Sequence, residues 1–144
     1  MTDISFHFNV SDKLVYTCRL LRKAVCSGAK VVVTGAEDTL QQLDQLLWTF
    51  SATEFLPHCS EWAGPPVLQR SPLLLAESLQ SVPFHDVLVN LGAQIPSGFE
   101  HFIRVVEVVG KDDDDRHFAR QRWKQYSTSG FDLIRHDLDQ RAAP

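Results

Sequence analysis

Ile4-Ser5-Phe6-His7-Phe8-Asn9-Val10, a stripe of Leu14, Cys18, Leu21 and Val25, and then Val31-Val32-Val33-Thr34-Gly35 decide the fold, because the period of apolar residues changes twice across them. Ile4, Phe6, Phe8 and Val10 alternate with Ser5, His7 and Asn9, which is the period of a strand with one buried face. From Asp12 the apolar spacing becomes helical, and Gly28 supplies a terminator. Val31-Val32-Val33 is a short, continuously apolar strand, and Leu40, Leu43, Leu46 and Leu47 mark a second amphipathic helix. The first fifty residues thus read strand, helix, strand, helix.

Further along, Pro57, Gly64, Pro65, Pro66 and Pro72 forbid any long regular element over residues 56–72. Val87-Leu88-Val89-Asn90-Leu91 and Ile103-Arg-Val-Val-Glu-Val-Val109 read as further strands, and a helix follows through Tyr126. Strands alternating with helices predict a single-domain three-layer α/β/α, Rossmann-like fold with a mostly parallel or mixed sheet. At 144 residues the chain is long enough to bury a core without disulfides or metal, as one domain over 1–144.

Fourteen Lys+Arg against eighteen Asp+Glu give a net charge of −4, which argues against extensive wrapping by nucleic acid. Cys18, Cys26 and Cys59 form no C-x-x-C pair and suit reduced thiols. The amino terminus has no basic segment leading into an apolar one, and no window reaches the ~20 apolar residues of a membrane helix. The expectation is a soluble, cytoplasmic chain with no membrane contact.

The sheet invites a search for phosphate loops, but Thr34-Gly35-Ala36-Glu37 has one glycine and an acid where a cradle has several glycines, and no Gly-Lys-Ser/Thr follows. His58-Cys59 lacks the further ligands of a tetrahedral metal site. Neither a G-x-S-x-G elbow nor a His-Glu-x-x-His motif is present. The expectation is therefore no catalytic residues, no metal and no cofactor.

Two segments remain as candidates for function. Asp112-Asp113-Asp114-Asp115 precedes Arg116-His117-Phe118-Ala119-Arg120-Gln121-Arg122-Trp123-Lys124-Gln125-Tyr126, and the aspartates provide a cap and favourable charge at the positive end of the helix dipole. At 100° per residue, Arg116, Arg120, Trp123 and Lys124 share one stripe, while Phe118, Ala119 and Tyr126 point toward a core. That stripe is either a solvated surface or a seat for an anionic ligand, since guanidinium grips carboxylate in a planar fork and an indole adds apolar contact. Trp48, Phe55, Leu56, Pro57, His58 and Trp62 are the second segment, either capping the core from a loop or forming a partner-binding patch.

With these segments in view, the sequence resembles the chi subunit family of bacterial DNA polymerase III. The resemblance is carried by Leu46-Leu47-Trp48, Phe55-Leu56-Pro57-His58, and Ala119-Arg120-Gln121-Arg122-Trp123-Lys124-Gln125-Tyr126 leading to Gly130-Phe131-Asp132-Leu133. It implies an α/β domain without catalysis of its own that recognises two partners. One is the acidic, aromatic-terminated C-terminal tail of single-stranded DNA-binding protein. By resemblance, Arg120 and Lys124 hold tail carboxylates, Arg116 extends the basic field, and Trp123, Tyr126, Gly130 and Phe131 shape an apolar pocket. Tyr126 has a helical phase that points it inward, so it supports the pocket from behind, and Trp123 stands where the family often has tyrosine. The other partner is the psi subunit, received by Trp48, Phe55, Leu56, Pro57 and His58.

The resulting expectation is an adaptor that holds the clamp loader through psi and coated template through the tail, touching DNA only indirectly. Competing readings are a direct single-strand nucleic-acid binder using Arg116, Arg120, Trp123 and Lys124 as a stacking and charge platform, and a small nucleotide-dependent enzyme.

Overall fold

The computed structural model describes residues 2–49, 59–60, 73–80, 82 and 84–138, with the backbone alone at 48, 49, 59 and 60. In chain order the elements are β1 (Asp3–Val10), α1 (Lys13–Cys26), β2 (Val31–Thr34), α2 (Glu37–Thr49), β3 (Cys59–Ser60), β4 (Leu73–Leu75), β5 (Val87–Asn90), a 3₁₀ turn (Phe99–His101), β6 (Arg104–Gly110), α3 (Asp113–Thr128) and β7 (Leu133–Asp137). The seven strands form one sheet in the order β3-β4-β2-β5-β6-β1-β7, and every pairing is parallel.

That order places the helices. The connections carrying α1 and α2 run toward the β3 edge, whereas the one carrying α3 runs toward the β7 edge. Right-handed crossovers in opposite directions put their helices on opposite faces. The packing agrees: Cys18, Leu21, Leu40, Leu43 and Leu47 cover Val31, Val33, Leu73, Leu75 and Val89 on one face. Ala119, Tyr126 and Phe102 cover Ile4, Phe6, Val32, Leu74, Leu88 and Val105 on the other. The three-layer α/β/α expectation holds, with the middle of the sheet buried on both sides, which is why β2, β4 and β5 read as continuous apolar runs.

Strand β1 departs from the expected single buried face. It lies between β6 and β7, and Val10 packs with the α1/α2 side while Ile4 and Phe6 pack with the α3 side. The cause is a register shift against β6 between His7 and Val10, with Asn9 at φ 62. One such irregularity reverses the alternation, and asparagine tolerates the left-handed conformation. Asn9 Nδ2 then donates to Asp137 Oδ1 on β7 at 2.8 Å.

Helix starts follow the sequence. Asp12 caps α1 by accepting from Val15 N, and Asp112 caps α3 by accepting from Asp115 N. Asp115 has a tertiary role beyond capping: its Oδ2 accepts from Gly110 N at 2.7 Å and pairs with Lys13 Nζ at 3.1 Å. The beginning of α3 is thereby tied to the end of β6 and the start of α1. Strands β3, β4 and β7 went unanticipated; Leu73–Leu75, just after Pro72, is short yet pairs in register with β2.

Candidate functional site: a cationic cleft over the β1–β7 edge

The phase of α3 is set by what it buries. Ala119, Arg122 and Tyr126 face the sheet and Trp123 is half-buried, so the inward stripe runs through 119, 122, 123 and 126. Phe118 lies off that stripe and is 40% exposed, which corrects its expected place in the core. Arg116 and Arg120 fall on the flank next to Trp123, and Lys124 lies about 100° farther round from the indole.

Arg122 is the residue that sequence reading missed. It is 2% exposed, and its Nε donates to Glu107 Oε1 at 3.0 Å while its Nη1 donates to the Ala93 carbonyl at 2.9 Å. Glu107, fully buried on β6, also accepts from Asn90 Nδ2 at 2.9 Å and from the Tyr126 hydroxyl at 2.7 Å. Burial pushes the Glu107 carboxyl up, opposed by Arg122, Tyr126 and Asn90. Burial, and next the Glu107 charge, pushes the Tyr126 phenol up. The signal was present in the sequence: one carboxylate inside Val105-Val106-Glu107-Val108-Val109, on a central parallel strand, requires a buried partner.

With α3 held this way, a cleft of about 340 Å³ opens between it and the β1–β7 edge, lined by Phe6, Phe8, Val109, Arg116, Ala119, Arg120, Trp123 and Arg135. Phe6, Phe8, Val109 and Ala119 make an apolar floor. Trp123 stands edge-on to Phe6, with ring centroids 5.1 Å apart. Arg116 and Arg120 are exposed, and among the described residues neither is paired with a carboxylate. An apolar floor beneath such guanidinium groups can hold an anion that carries an apolar group.

Of the residues singled out on α3, the structure brings Arg116, Arg120 and Trp123 into the cleft. Lys124 is exposed outside its lining. Tyr126 is 1% exposed behind it, edge-on to Phe6 at 6.0 Å. Phe131 packs on Phe99 at 5.2 Å, and Gly130, at φ 91, terminates α3; neither lines the cleft. Arg135, from β7, does line it and was not among the sequence candidates. Trp48 contributes backbone to the last turn of α2, while its side chain and Phe55, Leu56, Pro57 and His58 lie outside the described residues.

A second concavity, of about 450 Å³, lies at the carboxyl ends of β2 and β5, where the chain leaves adjacent strands in opposite directions. Doubly wound sheets place ligands at such a point. Here Thr34, Gly35, Asn90 and Gly92 are among the lining residues, and among the described residues Glu77 is the one charged group of that lining. No described helix is long and apolar enough to cross a membrane.

The family model for the DNA polymerase III chi subunit, HolC, matches residues 1–134. The chain is 31% identical over 147 residues to the DNA polymerase III subunit chi of Pseudomonas aeruginosa, covering 96% of this chain and 98% of that one. It is 29% identical to the Haemophilus influenzae chi subunit over 118 residues (81% of each chain) and 28% identical to the Escherichia coli one over 144 residues (92% of this chain, 96% of that one). Among solved structures, a chain of a Saccharomyces cerevisiae Dbp5 complex superposes with a TM-score of 0.61 at 12% identity, covering 96% of this chain and 42% of that chain. At that identity the likeness is one of fold.

Proposed function

We propose that this chain, which belongs to the family of DNA polymerase III chi subunits, acts as a non-catalytic adaptor in bacterial DNA replication, in the cytoplasm. One surface receives the acidic C-terminal tail of single-stranded DNA-binding protein, and another receives the psi subunit of the clamp loader. The observation that carries the tail reading is the cleft itself: Phe6, Phe8, Val109 and Ala119 form an apolar floor, with Arg116 and Arg120 free of carboxylate partners among the described residues. In a chain of net charge −4, a local cationic rim suits a short acidic segment better than a long polyanion.

In this mechanism Arg116 and Arg120 attract the tail's carboxylates, and its terminal aromatic ring then settles on the floor beside Trp123. A short peptide held this way has an affinity in the micromolar range, on the order of −8 kcal/mol, and salt weakens it. The psi contact rests on the resemblance at Trp48, Phe55, Leu56, Pro57 and His58. Such an adaptor needs no cofactor and contacts DNA only through its partner.

The test is co-migration of the protein with intact single-stranded DNA-binding protein and with a version lacking its C-terminal tail, each with and without bound oligonucleotide. Complex formation with the intact protein alone supports the adaptor. Equal binding to the tail-less protein, or binding to the oligonucleotide by itself, overturns it.

A further inference from the structure

Arg116 and Arg120 lie one turn apart on α3, about 6 Å along its axis, which matches the spacing of alternate side chains in an extended peptide. They form one wall of the cleft. The opposite wall carries a third guanidinium, Arg135 on β7, whose setting differs from theirs. Its Cζ lies 5.0 Å from the ring centroid of Phe8 and 5.9 Å from that of Trp123, so it is stacked against the floor of the cleft. Phe8 and Trp123 are partly buried against the core, which fixes the surface on which the guanidinium lies. Like the other two arginines, Arg135 has no carboxylate partner among the described residues.

We infer that Arg135 is a specificity-determining residue that receives the free α-carboxylate of a peptide whose last side chain is aromatic, whereas Arg116 and Arg120 receive acidic side chains upstream. This inference rests on the proposed function of the cleft. The geometry leads to it because a terminal residue carries its ring and its α-carboxylate on one Cα. A ring seated on Phe6 and Phe8 brings that carboxylate to the edge of the floor, where Arg135 is already stacked. A guanidinium oriented by two rings loses little further freedom on binding and offers a planar fork to the carboxylate. Arg116 and Arg120 reach the rim from the helix, where an extended chain continues.

A chemical double-mutant cycle isolates this contact. The free-acid and C-terminally amidated forms of one acidic, aromatic-terminated peptide are titrated against the wild type, Arg135→Gln, Arg135→Lys and Arg120→Gln. For the wild type, amidation weakens binding about tenfold or more, as loss of a charge-assisted hydrogen bond should. Arg135→Gln binds the free acid about tenfold more weakly and loses less than about twofold on amidation, while Arg135→Lys keeps more of the amidation penalty than Arg135→Gln. Arg120→Gln binds both forms more weakly but keeps the full penalty. A merely structural role for Arg135 would weaken both forms alike. An amidation penalty undiminished in Arg135→Gln overturns the assignment of Arg135 and leaves the cleft's function standing. Failure of the wild type to bind either form overturns both.

Discussion

Arg122 on α3 and Glu107 on β6 form a buried ion pair, Nε to Oε1 at 3.0 Å, with side chains 2% and 0% exposed. Arg122 shares the inward stripe of α3 with Ala119 and Tyr126, so its pairing with Glu107 helps hold the rotation of α3 that leaves Arg116, Arg120 and Trp123 over the cleft. Removing one partner strands a buried charge. Glu107→Ala and Arg122→Ala are each expected to destabilise the fold by about 3–5 kcal/mol in urea denaturation, whereas Glu107→Leu combined with Arg122→Leu is expected to be far milder than either alone. Single substitutions that each lower stability by less than about 1 kcal/mol would contradict this role for the pair.

Tyr126 donates to Glu107 Oε2 at 2.7 Å from within the core. Tyr126→Phe removes the hydroxyl and keeps the ring against Phe6, Phe99 and Phe131. A loss of about 1–3 kcal/mol in stability is expected, with peptide affinity unchanged. Unchanged stability with lost affinity would instead put the phenol in contact with the ligand.

Cys18 is buried on α1 under the sheet, while Cys26 at the end of the same helix is exposed. Burial, and then the charge of Asp12, pushes the Cys18 thiol up from 9.0 to about 11. Alkylation of the native protein at pH 8, read by peptide mass spectrometry, should modify Cys26 and spare Cys18 until the chain unfolds. Because the folded-state value is raised, the folded form holds this proton more tightly than the unfolded one. Its contribution to stability is complete below pH 9 and is lost as pH rises toward about 11. The melting temperature of the wild type should therefore fall more steeply across that window than that of Cys18→Ala, and parallel profiles would refute the shift.

The alternating and helical periods of the first fifty residues were legible because burial on a sheet face or helix stripe is written directly into residue spacing. Asn9 was not legible as the point where β1 reverses its alternation, because one residue at positive φ leaves no mark on a period. Strand β7 was hidden for a related reason: Leu133-Ile134-Arg135-His136-Asp137 lies at the sheet edge, where burial is partial and the pattern mixed. Arg116, Arg120 and Trp123 could be grouped from helical phase alone. Arg135 could not, since it joins them only through the parallel pairing of β7 with β1, which sequence spacing does not encode. The buried Arg122 looked like one more surface cation until Glu107 supplied its partner.

Capture of an acidic tail by the cleft is measured by titrating a fluorescent peptide bearing such a tail, at low salt, into the wild type and Arg120→Ala, with thermal melting to confirm that both are folded. Saturable binding in the micromolar range is expected, weakened about tenfold in Arg120→Ala and weakened further as salt is added. Wild-type affinity in a folded Arg120→Ala, or no binding by the wild type, would contradict it.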